Sequence, residues 1–201
     1  MKKTITLVAA LAAGCAVQYP QNAQEFRQQI PGAFMGQVKS FEAKRSFRDV
    51  ARTFQTKAPE CLNVAVRMVE HGHGSASNVL TTYKPTVSVS DGKAELHVQR
   101  TMKGNIIVPG KVPEGGMYFL VADVTPIDKG RTKVDIYGPS RGADALTKAV
   151  TAWATGERPS SSAARSAITA FLVWRDSDIT AALNVGVANT FSTSSGMGYG
   201  T

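Results

Sequence analysis

Phe47, Val50, Ala51 and Phe54 stand at i, i+3, i+4 and i+7 within SFRDVARTFQTKAP, the spacing that lines up one apolar face of a helix. Ser46 precedes that face as an N-cap, Asp49 follows three residues later in the place of a capping-box acid, and Pro59 predicts the stop. A strand is predicted ahead of this helix over residues 37–45. From Leu62 the period falls to two: Leu62, Val64, Val66 and Met68 alternate with Asn63, Ala65, Arg67 and Val69, as a half-buried strand requires. HGHGSAS, His71 to Ser77, predicts a loop, and NVLTTYKPTVSVS returns to extended structure with Pro85 suited to an edge or a bulge. Ser90-Asp91-Gly92-Lys93 predicts a tight hairpin, because Asp-Gly tolerates positive φ angles. Beyond it Ala94, Leu96 and Val98 point inward, and Glu95, His97 and Gln99 point outward. Residues 103–116, rich in Gly, Pro and Lys, predict an exposed loop. GMYFLVADVTP, the most apolar run, predicts a central strand, followed by a second hairpin around Asp128, Lys129 and Gly130. Leu146, Ala149, Val150 and Trp153 then return to helical spacing, and Gly156 is placed to end that helix.

Strand, helix, a run of hairpin-linked strands and a closing helix define an α+β domain, an antiparallel β-sheet packed against one or two helices. Over residues 36–156 this order resembles the helix-grip folds, in which a terminal helix lies across a curved antiparallel sheet. The predicted organisation is a domain that begins at Gly36, preceded by a tether over residues 15–35. It is followed by a hinge and helical extension over 157–188, where ERPSSSAAR precedes an apolar stretch at 163–174, and by a flexible tail over 189–201 rich in Gly and Ser.

The start of the chain carries a different pattern. Lys2 and Lys3 precede an uncharged run from Thr4 to Ala13, too short for a transmembrane helix of about 20 residues and suited to the apolar region of an export signal. Ala12, Ala13 and Gly14 are small, and Cys15 follows directly. LAAGC resembles the lipobox of bacterial lipoproteins, with Ala12 where Leu is usual. The resemblance implies a signal peptide over residues 1–14, a diacylglyceryl group on the Cys15 thiol and cleavage just before it. The competing reading cuts after Ala16 and discards Cys15. Because Ala16 rather than Asp follows the cysteine, the resemblance further implies the outer membrane, with the protein facing the periplasm.

Loss of Lys2 and Lys3 takes the formal charge from +8 to +6, so the mature chain stays basic. A positive field attracts anionic head groups or an acidic partner. The basic residues are scattered rather than interleaved with aromatics, so no nucleic acid is expected as a partner. With Cys15 acylated, Cys61 has no disulfide partner within the chain; it is either an intermolecular partner or a small buried residue, and burial at the start of a strand is the expected reading.

Side chains able to do chemistry are few. His71 and His73 with Glu70 and Cys61 fall short of a converging set of three or four ligands, so no metal and no cofactor is expected. Cys61 with His71 or His97 makes a weak nucleophile and base, and no serine motif occurs in the strand-to-helix context an activated serine needs. Asp123 and Asp135 are expected outward and solvated on neighbouring strands. Trp153 is expected in the core, with Trp174 turned toward a partner or a membrane interface. No catalytic residue is assigned. The predicted function is a non-enzymatic, membrane-anchored adaptor or assembly component that meets another envelope protein. The alternative is a periplasmic carrier that holds a lipid or other apolar ligand between sheet and terminal helix.

Overall fold

The computed structural model describes residues 18–72, 75–104 and 110–157. Its order is α1 (Ala23–Gln29), a short 3-10 turn (Ile30–Gly32), β1 (Gly36–Ala43), α2 (Phe47–Leu62), β2 (Val64–Gly72), β3 (Ser75–Ser90), β4 (Lys93–Gly104), β5 (Met117–Pro126), β6 (Thr132–Pro139) and α3 (Asp144–Thr155). The strands form one antiparallel sheet in the order β1-β6-β5-β4-β3-β2. This is the α+β architecture the periodicity predicts, with β5 in the interior of the sheet. The hinge, helical extension and tail, with Trp174, lie outside the described residues apart from Glu157, as does Cys15.

The two long helices form for the reasons their sequences give. The Ser46 hydroxyl accepts from the Asp49 amide at 3.2 Å and donates to the Asp49 carboxylate at 2.6 Å, which satisfies an otherwise orphaned donor of the first turn. Gly156 closes α3 in the left-handed conformation at φ 86°. Arg45 joins the two helices: its Nη1 donates to the Trp153 carbonyl at 2.7 Å, while its own carbonyl accepts from Thr132 Oγ1 at 2.7 Å.

The layer between the sheet and these helices is the main core. Phe54, Leu62, Leu96, Leu120, Val124, Val134, Val150 and Trp153 are all buried in one cluster there. Phe54 meets Trp153 edge-on at 6.5 Å between ring centroids. In β5 the register slips between Val98 and Gln99 of β4, which pair with Leu120 and Tyr118, so Phe119 is the extra residue of a bulge. Phe119 and Leu120 both reach the main core as a result.

Four details differ from the sequence reading. Residues 15–35 are not all tether: α1 packs on the sheet face opposite α2 and α3, where Ala23 and Phe26 are buried against Val121. Coverage on both faces explains why β5 is apolar without alternation. Pro59 lies inside α2 rather than ending it, and the burial of Cys61 and Leu62 carries the helix on to Leu62 although Pro59 lacks the N–H to bond the carbonyl four residues back. Cys61 is therefore buried at a helix end, not at a strand start. Finally, the loop expected from His71 is shorter, since β2 and β3 pair as far as Gly72 and Ser75 and β4 runs to Gly104 opposite Val79. Pro85 lies beyond Tyr83, where pairing with β2 begins, so on that side β3 is locally an edge.

Candidate functional site

Glu95, Asp123 and Asp135 sit directly opposite one another in register across β4, β5 and β6, on the face that α1 covers. Three carboxylates in a row repel unless cations compensate them. Arg27 of α1 supplies the central cation: one Nη2 lies 2.6 Å from Glu95 and 2.6 Å from Asp123. Lys93 reaches Glu95 at 2.5 Å and Asp123 at 3.7 Å, His97 Nε2 lies 3.0 Å from Glu95, and Lys133 lies 3.1 Å from Asp135. The Asp123 side chain is only 11% exposed, so the expectation that it is solvated is corrected: α1 takes the place of water above it.

The charges tune one another. Burial pushes the Glu95 carboxyl up, but the Lys93 hydrogen bond and the Arg27 charge together outweigh it and hold Glu95 below the usual carboxylate range. Burial likewise opposes the Arg27 cation, and Asp123 and Glu95 hold its pKa above the ordinary value. Burial, then the nearby Asp135 charge, pushes the Tyr137 hydroxyl up. Each carboxylate of the row has a cationic partner, which makes the cluster a clamp that fastens α1 to the sheet.

Beside the clamp, at the far end of α1, opens an apolar cleft of about 220 Å³. Phe26 and Tyr118, tilted rings 5.9 Å apart, form one wall together with Ile30. Phe34 and Met35 form the lip, and Phe119 lies beneath. Phe34 is 88% exposed. It is held out by a fixed loop: Met35 adopts φ 64°, a left-handed conformation costly to a residue with a side chain, and its carbonyl accepts from the Ser140 amide at 2.6 Å. Arg100, its guanidinium 5.2 Å above the Phe119 ring, and Arg141 complete the lining.

Cys61 and His97, weighed from sequence as a nucleophile and its base, are not brought together. Cys61 is buried in the main core, whereas His97 lies on the opposite face, edge-on to Tyr118 at 5.9 Å. His71 falls in β2, and His73 lies outside the described residues. Among the described residues no group of three His, Cys, Asp or Glu converges to hold a metal ion. The cleft was missed because IPGAFMG, Ile30 to Gly36, reads as Pro- and Gly-rich tether. Two large apolar residues in such a stretch, Phe34 and Met35, were the available signal.

No protein-family profile and no curated protein sequence matches this chain. Solved structures match at low similarity. The di-domain ARO/CYC protein BexL of the BE-7585A biosynthetic pathway is 10% identical over 62% of this chain and 46% of its own, with a TM-score of 0.32, so the chain spans about half of that protein's length. Mll3558 from Rhizobium loti is 11% identical over 61% and 96%, with a TM-score of 0.31. Norcoclaurine synthase from Thalictrum flavum, in complex with dopamine and hydroxybenzaldehyde, is 11% identical over 61% and 84%, with a TM-score of 0.25. Likeness of this size carries no activity or ligand over to the present chain.

Proposed function

We propose that this chain is a bacterial envelope lipoprotein, anchored by acyl chains on Cys15 to the periplasmic face of the outer membrane, whose α+β domain is a non-enzymatic adaptor for another envelope protein. The observation that carries the reading is the cleft at Phe34. An 88% exposed aromatic beside an apolar cleft with arginines is the composition of the buried centre of a protein interface. Among the described residues, neither hydrophobic core cluster includes that side chain.

Support for an adaptor over a carrier comes from the packing. A carrier of the helix-grip kind holds its ligand between sheet and terminal helix, and that layer is filled by Phe54, Leu120, Leu146, Val150 and Trp153, each 3% exposed or less. Anchoring suits the docked first helix. The chain is tied down from Gln21, whose side chain donates to the Lys111 carbonyl at 2.9 Å, so six residue steps separate it from Cys15. An extended chain of that length spans at most about 20 Å. The cleft is thereby confined near the membrane surface, which raises the effective concentration of a neighbouring partner without any reaction. Two or three acyl chains hold stably, since each buried CH₂ contributes about 0.8 kcal/mol. Among the described residues no helix is long and apolar enough to cross a membrane.

The test combines cell fractionation with a photo-crosslinker placed at Phe34. The Cys15→Ser variant is expected in the soluble periplasmic fraction, and the anchored protein is expected to give a discrete crosslinked envelope protein. Membrane association unchanged by Cys15→Ser, or no crosslink in the native envelope, would contradict the proposal.

A further inference from the structure

A second opening lies on the α2 side of the sheet, away from the cleft at Phe34. Between α2 and the hairpin that joins β3 to β4 runs a polar groove of about 560 Å³, a size within the roughly 300–1,000 Å³ of small-molecule sites. Arg48, Arg52 and Gln55 form its helix wall, and Ser90 and Asp91 form its hairpin wall. Phe47 and Val89 add apolar surface. Both walls are set in advance. The burial of Val50 and Phe54 fastens α2 to the core, and Gly92 holds the hairpin turn at φ 78°. A Cβ at Gly92 would meet no atom within 4 Å, so the hairpin tip is open to a ligand. Walls that are already in place lose little freedom on binding.

The charges of the groove are left open. Arg48 and Arg52 are exposed and stand one helical turn apart, where like charges repel. Among the described residues neither guanidinium has a hydrogen-bond or ion-pair partner, and neither has the Asp91 carboxylate on the facing wall. Arg27, Arg45 and Arg131, by contrast, are each tied to an acceptor. Opposite charges therefore line the two walls without closing on one another. Two adjacent guanidiniums make a fork for a carboxylate, and a carboxylate beyond them accepts an ammonium. We propose that this groove binds a short zwitterionic peptide, with its C-terminal carboxylate between Arg48 and Arg52 and its ammonium at Asp91. Position favours a dissolved ligand over a lipid head group. The groove lies at the Ser90–Lys93 end of β3 and β4, whereas the start of the chain meets the domain through Gln21 and Lys111, ahead of the opposite end of the sheet where Met117 pairs with Arg100. The proposal uses no residue of the cleft at Phe34 and stands apart from the adaptor reading.

The experiment titrates the isotope-labelled full mature chain, in detergent, with dialanine, trialanine and tetraalanine, and follows the backbone amide shifts. At least one peptide is expected to give saturable shifts gathered in residues 47–55 and 89–92. N-acetylation removes the ammonium and C-terminal amidation removes the carboxylate, and each should weaken binding at least about fivefold. These two arms alter only the ligand, so they do not depend on the stability of a variant. Asp91→Asn should weaken the free peptide and leave the acetylated one unchanged, since Asn-Gly suits the same turn as Asp-Gly. Arg52→Gln should weaken the free peptide and leave the amidated one unchanged. No saturable shift with any of the three peptides, or shifts centred on the cleft at Phe34 instead, would overturn the proposal. So would equal binding of free and capped peptides, or an Asp91→Asn variant that weakens free and acetylated peptides alike. Association of the Cys15→Ser chain with phosphatidylethanolamine vesicles, without a response to the peptides, would overturn it as well.

Discussion

Arg27 and Asp123 lie 96 positions apart in the chain, yet a guanidinium nitrogen of one sits 2.6 Å from a carboxylate oxygen of the other beneath the first helix. The two side chains are 12% and 11% exposed, so removal of one leaves the other poorly solvated. Arg27→Met should cost about 3 kcal/mol of stability, the range for breaking a nearly buried pair. Adding Asp123→Asn to that variant should restore part of the loss. Denaturant unfolding of the two single variants and the double variant checks this, and strictly additive losses would show that the pair is not coupled.

Glu95 makes the clamp sensitive to acid. Its folded pKa is depressed, so it contributes stability that is fully present above its unfolded value, about 4.3, and is lost as pH falls through the folded value. Wild type should therefore exceed Glu95→Gln in stability near neutrality and converge with it between about pH 5 and pH 3. Unfolding midpoints measured across that window would show parallel curves if Glu95 contributed nothing.

The Phe54 ring is fully buried and braces Trp153 edge-on, which ties α2 to α3. Phe54→Ala should cost about 3–5 kcal/mol, from lost burial and the cavity left behind. In a Trp174→Phe background, so that Trp153 alone reports, the folded-state emission should shift to the red. An unshifted spectrum with unchanged stability would mean that the two helices do not share this core.

Cys61 is 1% exposed and forms no disulfide among the described residues. A maleimide should label the folded protein at Cys61 no faster than the domain opens, and should label it completely after unfolding. Rapid labelling of the native state, or a disulfide-linked dimer in the absence of reductant, would contradict this burial.

The sheet and both long helices were legible because their period is local: Val50, Phe54, Leu146 and Trp153 announce their faces through neighbours within two turns. The hairpin at Asp91 and Gly92 was legible through turn chemistry, and Gly92 does adopt φ 78°. What was not legible depends on contacts between distant parts of the chain. AQEFRQQ carries too short a pattern to show that Phe26 meets Val121, or that Arg27 meets a carboxylate row assembled from three strands. Asp123 looked solvated because strand alternation says which face a side chain takes and not what covers that face. The cleft at Phe34 was hidden for a related reason, since Pro and Gly near Ile30 signal an irregular backbone whether it trails in solvent or folds against the sheet.

The anchor is tested most directly by the intact mass of the mature protein purified from bacterial membranes, together with its N-terminal fragment. The proposed lipoprotein predicts a chain that begins at Cys15 and carries a diacylglyceryl group on sulfur. An unacylated chain that begins at Val17 would contradict it.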